Sequence, residues 1–221
     1  MKKEELRHDP VRENIVKGVQ YFSENTGTVL QVFAAIAIAV GGLSYYNHTG
    51  NIKMENASHL AGRAQNTFIN GNLDEANVKF ERVLADYPNT PGAVQSLVYL
   101  LNTAISNNDI AEVKRLLSEN DGTIDDPRVL AAFYKLQGDV ALTEIDFASA
   151  IKYFQKAQNI GSENQSQVDC QLNIASTFLA QNNYENAIQT LQEIIDNSDV
   201  GFNEKNIAEE LLAYAKQKMR I

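Results

Sequence analysis

"GNLDEANVKFERVLADYP", residues Gly71–Pro88, reads as a turn, an amphipathic helix and a proline stop. The same phrase returns downstream as "NDIAEVKRLL", "IDFASAIKYFQKA" and "NNYENAIQTLQEI". Its small or branched anchor residues are Ala76, Val113, Ala150 and Ala187, each 37 residues after the last. Four residues beyond each anchor stands a large apolar one: Phe80, Leu117, Phe154 and Leu191. A fixed period in this range is the mark of stacked helical pairs, because one pair cannot bury its own apolar face and must share it with neighbours.

The repeated phrase resembles the tetratricopeptide repeat (TPR), in which helix A, a tight turn and helix B form each unit. On that frame the units fall at 57–90, 94–127, 131–164 and 168–201. Helix A carries a small residue at Ala64, Gly138 and Ala175, with Leu101 as the exception. Unit two departs furthest, with Val113 for alanine and the polar run "SENDGTIDDP" after a short helix B. Residues 203–221 read as a capping helix with Ile207, Leu211, Leu212 and Ala215 on one stripe. Lys216 and Lys218 in its last turn complement the helix dipole.

A second stretch decides where the repeats work. "TVLQVFAAIAIAVGGLSYY", Thr28–Tyr46, lies in a charge-free run between Glu24 and Lys53. About 20 helical residues cross a hydrocarbon core of about 30 Å. Tyr45 and Tyr46 end the run, and Tyr21 and Phe22 precede it, as interfacial aromatics do. The leader is long and the exit bulky, which favours an uncleaved anchor over a signal peptide. The expected organisation is a cytoplasmic leader at 1–27, a transmembrane helix at 28–46, a linker at 47–56 and the repeat domain at 57–221. Five leader Lys or Arg, against Lys53 and Arg63 just beyond the span, favour a cytoplasmic N-terminus and exported repeats. Ala34, Ala37 and Gly41 are spaced to pack against another membrane helix. The fold class expected is thus all-α: one N-terminal transmembrane helix, a TPR-type α-solenoid of about four hairpins, and a C-terminal cap.

The net charge is −9, and the leader's five basic and five acidic residues cancel. The negative charge therefore belongs to the repeats, which argues against a nucleic-acid binder. The single cysteine, Cys170, excludes an intramolecular disulfide. His8, His48 and His59 have no second ligand at helical spacing, and no glycine-rich phosphate loop is present. No catalytic residue, metal site, cofactor or small-molecule substrate is expected, and the protein reads as a non-enzyme that binds other proteins. On the TPR frame the concave groove formed by the A helices would present Gln65, Phe68, Tyr99, Asn102, Lys135, Asp139, Asn173 and Ser176.

The stretch "VQYFSENTGTVLQVFAAIAIAVGGLSYYNHTG", Val19–Gly50, with its aromatic pair Tyr21-Phe22 and its Glu24-Asn25-Thr26-Gly27 turn, resembles the N-terminal module of the YfgM family. That resemblance implies a single-pass protein of the bacterial inner membrane with periplasmic repeats, an ancillary subunit of the Sec translocon. Its implied partners are the translocon channel subunits and a membrane-anchored periplasmic chaperone, with lipid contacted through one helix. The alternative is a membrane-tethered TPR scaffold for another envelope complex.

Overall fold

The computed structural model of the chain describes residues 26–161 and 164–219, which are helix, turn and loop with no strand among them. The leader expected at 1–27 lies almost wholly outside them. So do most side chains of 26–47, Ala34 and Ala37 included, while Gly41 is described and exposed. The backbone of 28–46 belongs to helix α1, Thr26–Ile69. Among the described residues no helix is long and apolar enough to cross a membrane, so the expected transmembrane helix finds no support there. The chain divides into two compact units, Met1–Glu55 and Asn56–Ile221.

The second unit is a row of helical hairpins. It begins with the part of α1 from Asn56 onward, paired with α2 (Leu73–Asp86). Then come α3 (Pro91–Ser106) with α4 (Ile110–Glu119), and α5 (Pro127–Thr143) with α6 (Phe147–Ile160). The last hairpin is α7 (Asn164–Ala180) with α8 (Tyr184–Asp196), and α9 (Phe202–Met219) follows it.

The turn inside each hairpin is one structure built four times. Gly71, Asn108, Ile145 and Asn182 stand 37 residues apart and have φ of 86°, 54°, 61° and 57°. Each donates its N–H three residues back, and the next residue donates five back, as in Gly71 to Phe68 at 2.9 Å and Asn72 to Thr67 at 3.2 Å. This pair of hydrogen bonds satisfies the last carbonyls of helix A and needs a left-handed residue, so glycine and asparagine suit it. Ile145 is the misfit, because a β-branched side chain clashes with the backbone there. In three of the four the side chain of the following residue then caps helix B, whereas Asn72 makes no such bond. Asp109, Asp146 and Asn183 accept the N–H of Glu112, Ser149 and Asn186 at 3.0, 3.1 and 3.3 Å.

All four anchors and the four large residues after them are buried. Phe154 illustrates why helix A needs a small residue opposite. A Cβ on Gly138 would stand 2.5 Å from its ring. A second close approach involves Gly92, where a Cβ would lie 2.3 Å from the Ala57 carbonyl carbon and 2.4 Å from its oxygen. Helix α3 can therefore rest on α1 only through a glycine. Thr90 caps it, accepting the Ala93 N–H at 3.2 Å, and Pro91 supplies a helical φ at the first turn.

Unit two is irregular in the way its polar run suggested. Helix α4 has 10 residues where α2, α6 and α8 have 14, 14 and 13. The chain then crosses 120–126 as a loop that inserts Ile124 into the core and turns at Gly122, φ 80°. Buried Asn120 closes the end of α4 by donating to the Leu116 carbonyl at 2.9 Å. Asp126 restarts the chain as α5, accepting the N–H groups of Arg128 and Val129 at 2.9 and 3.4 Å.

The cap corrects the expected stripe. Ala208, Leu212 and Ala215 are the buried residues of α9, while Ile207 is 48 % exposed and Leu211 half-buried. The linker after α8 makes the step from α7 to α9 one residue longer than the repeat, from Asn164 to Phe202. One residue turns a helix by about 100°, which carries Ile207 out and Ala208 in.

Candidate partner-binding groove

The groove is built from positions that recur along the A helices. Gln65, Asn102, Asp139 and Ser176 form one row at 37-residue spacing, and Phe68, Ile105, Leu142 and Leu179 form the next. The two rows are three residues apart on each helix, so they share a face. In the first row Asn102, Asp139 and Ser176 are exposed, and Gln65 is half-buried. The Gln65 Oε1 accepts a 2.9 Å bond from Gln95 Nε2, tying α1 to α3 across the groove. In the second row Ile105 is exposed and the other three are half-buried. The surface therefore combines amides, a carboxylate and a hydroxyl with partly covered apolar side chains.

Two of the expected groove residues have a structural task instead. Tyr99 stacks on the buried Phe80, with ring centroids 4.8 Å apart and planes 8° from parallel. Phe68 meets the Tyr99 ring edge-on at 5.1 Å. The three rings close the core between the first two hairpins, so Tyr99 and Phe68 are core residues with one edge to solvent rather than free anchors. Sequence spacing alone could not show this, because the Tyr99 partner stands on helix B of the preceding unit.

Lys135 and Asn173 are half-buried on α5 and α7. Lys135 lies within electrostatic reach of Asp139 and Cys170. Although Asp139 is exposed, partial desolvation of its carboxyl beside the neighbouring A helices raises it above the usual aspartate range, with Lys135 pulling the other way. Burial likewise pushes the Cys170 thiol up, and Asp169 and Asp139 add to the effect. A thiol so placed is a core residue and a poor nucleophile. Among the described residues no group of three or more His, Cys, Asp or Glu is placed to hold a metal ion.

Where α4 falls short, the groove deepens between α3 and α5. A cavity of about 260 Å³ is lined by Val98, Asn102 and Ile105 on one side and Ala132, Phe133 and Leu136 on the other. It shares Val98 and Val129 with a second cavity of about 430 Å³, whose rim carries Gln95, Asp125 and Asp126. Neither cavity was foreseen. The polar run after α4 was the only sequence sign of them.

On the outer side, Arg115 of α4 bonds Glu81 of α2 and its own helix's Glu112 and Glu119, each at 2.6 Å. Lys114 pairs with Glu144 at the end of α5. These contacts pin neighbouring hairpins but remain open to water, where such pairs are worth up to about 1 kcal/mol.

The family model for the tetratricopeptide repeat matches residues 42–90 and 169–198. No curated protein matches the chain. Among solved structures it is similar to a Podosopora anserina protein described as a kinesin light chain with nearly identical TPR-like repeats. That match has 18 % identity and a TM-score of 0.56, over 75 % of this chain and 89 % of the other. The crystal structure of the MamA protein matches at 18 % identity and a TM-score of 0.53, again over 75 % and 89 %. At such identities the likeness concerns the fold, and none of these matches distinguishes a YfgM-like chain from other repeat proteins. Residues 42–90 and 169–198 thus match the tetratricopeptide repeat, and the second unit folds as a TPR-like helical solenoid.

Proposed function

We propose that the chain is a membrane-anchored interaction subunit that holds a protein partner in the groove of its A helices. The observation that carries this reading is the row Gln65, Asn102, Asp139 and Ser176, flanked by apolar side chains and deepened by the cavity between α3 and α5. Hydrogen-bonding groups at a fixed repeat beside apolar pockets suit a polypeptide, which offers both along its length. The anchor is residues 28–46, supported by their apolar sequence, and the leader's basic residues favour repeats in the periplasm of a bacterial inner membrane.

The resemblance to the YfgM family makes the Sec translocon channel and a membrane-anchored periplasmic chaperone the first partners to test. A pull-down from detergent-solubilised membrane tests this reading directly. Recovery of the channel subunits is expected, and an Asn102→Ala, Asp139→Asn double variant should recover less. Recovery of a different envelope complex would move the protein to the general scaffold reading, and equal recovery by the variant would move the contact off the groove. Protease added to spheroplasts should cut beyond Asn51, and cutting only after lysis would reverse the orientation.

A further inference from the structure

The one-residue shift of the cap has a consequence for the groove. Ala208, Leu212 and Ala215, the buried face of α9, stand 38 residues after Cys170, Ile174 and Thr177, a buried face of α7. Ile174 packs with Ala150 and Phe154 of α6. Ala208 and Leu212 pack with Leu191 and Ile194 of α8, the equivalent contact one hairpin later. Helix α9 therefore sits as an A helix, displaced by one residue in the sequence. The same step carries Asp169, Asn173 and Ser176, on the groove side of α7, onto Ile207, Leu211 and Tyr214.

These three lie at i, i+4 and i+7, one stripe of the helix. Ile207 is 48 % exposed, Tyr214 is 47 % exposed and Leu211 is half-buried. They are not the leftover of a face meant for another hairpin. That face, found 38 residues after Val168, Leu172 and Ala175, is Asn206, Glu210 and Ala213, polar or small where α7 is apolar. A groove wall that is polar on α7 thus becomes apolar and aromatic on α9.

We infer that the groove continues onto the cap, and that it receives a segment of a protein partner that is apolar over α9 and basic where it crosses α5 and α7. This rests on the groove reading given above and adds the chemistry of the occupant. In the middle of the groove, among the described residues, the carboxylates of Asp139 and Asp169 stand with the one cation Lys135. A basic side chain entering there gains a counter-charge, and an acidic one meets repulsion. At the far end the cavity beside Val98, Ile105 and Leu136 is apolar again. A second copy of this chain is a poor occupant of an acidic groove, because the chain itself carries a net charge of −9.

Two short fluorescein-labelled peptides test the inference, both with Leu-Phe at each end, one with Lys-Arg at the centre and the other with Glu-Asp. Anisotropy titrations use the full chain in nanodiscs of zwitterionic lipid, with empty nanodiscs as the blank. The basic peptide should bind about tenfold tighter than the acidic one, and Ile207→Ser with Tyr214→Ser should weaken it by about tenfold. Both side chains are exposed, so helicity at 222 nm should stay unchanged. Equal binding of the two peptides would overturn the basic centre. Binding that responds to Asn102→Ala and Asp139→Asn but ignores the cap pair would overturn the inference while leaving the groove reading in place. Binding of neither peptide would also overturn it, and the membrane pull-down would then decide the groove reading by itself.

Discussion

Three glycines on the A helices should respond to the same substitution with different signs. Helix propensity alone says that Gly→Ala stabilises an interior helical position by up to about 1 kcal/mol. At Gly62 nothing lies within 4 Å of an added Cβ, so Gly62→Ala should gain about that amount. At Gly92 the Cβ would stand 2.3 and 2.4 Å from the Ala57 carbonyl group and 2.7 Å from the Ser58 nitrogen. Carbon atoms rest about 3.5–4.0 Å apart, so α1 and α3 would have to separate by more than about 1 Å. Ala57 is buried with Ala61 and Val83, and that core would open. Overpacking costs about 1–3 kcal/mol and more when backbone must yield. Net of the propensity gain, Gly92→Ala should lose about 2–3 kcal/mol. Gly138→Ala meets the Phe154 ring at 2.5 Å. A ring can tilt where a backbone cannot, so the net loss there should be about 1–2 kcal/mol. For a domain of this size each kcal/mol moves Tm by about 2–4 °C. Melts followed at 222 nm should therefore show Gly62→Ala above the parent, Gly138→Ala below it and Gly92→Ala lowest. A Gly92→Ala protein as stable as the parent would refute the close approach of α3 to α1. A gain in all three would show that propensity, not packing, governs these positions.

Ala150→Phe should cost about 1–3 kcal/mol, because Ala150 is fully buried in a cluster with Phe154 and Ile174; an unchanged Tm would contradict the repeat packing. Tyr99→Ala should lose about 2 kcal/mol of stability through its ring contacts with Phe80 and Phe68, so its urea midpoint must be measured before any binding loss is read as a groove effect. Ile145→Asn should stabilise by about 0.5–1 kcal/mol by placing at φ 61° the residue type that Asn108 and Asn182 already supply; a lower midpoint would mean that the exposed isoleucine has an apolar contact worth more than the strain. Acid should weaken the fold. The bond from Arg115 holds Glu112 below its ordinary 4.5, and bonds to Arg128 and Ser149 hold Asp126 and Asp146 below 3.8. The native state then binds fewer protons than the unfolded chain, so this stabilisation is full above those ordinary values and fades as pH falls through and below them. Asp139, shifted upward, works in the opposite direction. A urea midpoint that stays level from pH ~6 to pH ~3 would count against these bonds.

Much of the fold was legible because its determinants are local. The 37-residue period, the alternation of Ala76, Val113, Ala150 and Ala187 with large partners four residues on, and the proline and asparagine turns all sit within one hairpin's length of sequence. A helix start, a left-handed stop and an amphipathic stripe are decided by neighbours within a few residues, so periodicity exposes them. The short α4 was also visible, in the polar run that follows it.

What stayed hidden depends on distances between segments. The roles of Tyr99 and Phe68 turn on Phe80, which reaches them from another helix. Gly92 resembles any glycine after a proline until the Ala57 backbone is placed beside it. The cavity between α3 and α5 is lined in part by Ile124 of the 120–126 loop, whose place only the tertiary structure fixes. The cap shows the division most sharply. The sequence determined that a helix would follow the last hairpin, since the apolar and charged residues of Phe202–Met219 segregate at helical spacing. Which of Ile207 and Ala208 went inward was decided by the length of the linker after α8 and by the shape of the face it docks on. A rotation of about 100° per residue turns one added residue into an exchange of buried side for groove side, and only packing against α7 and α8 fixes the rotation.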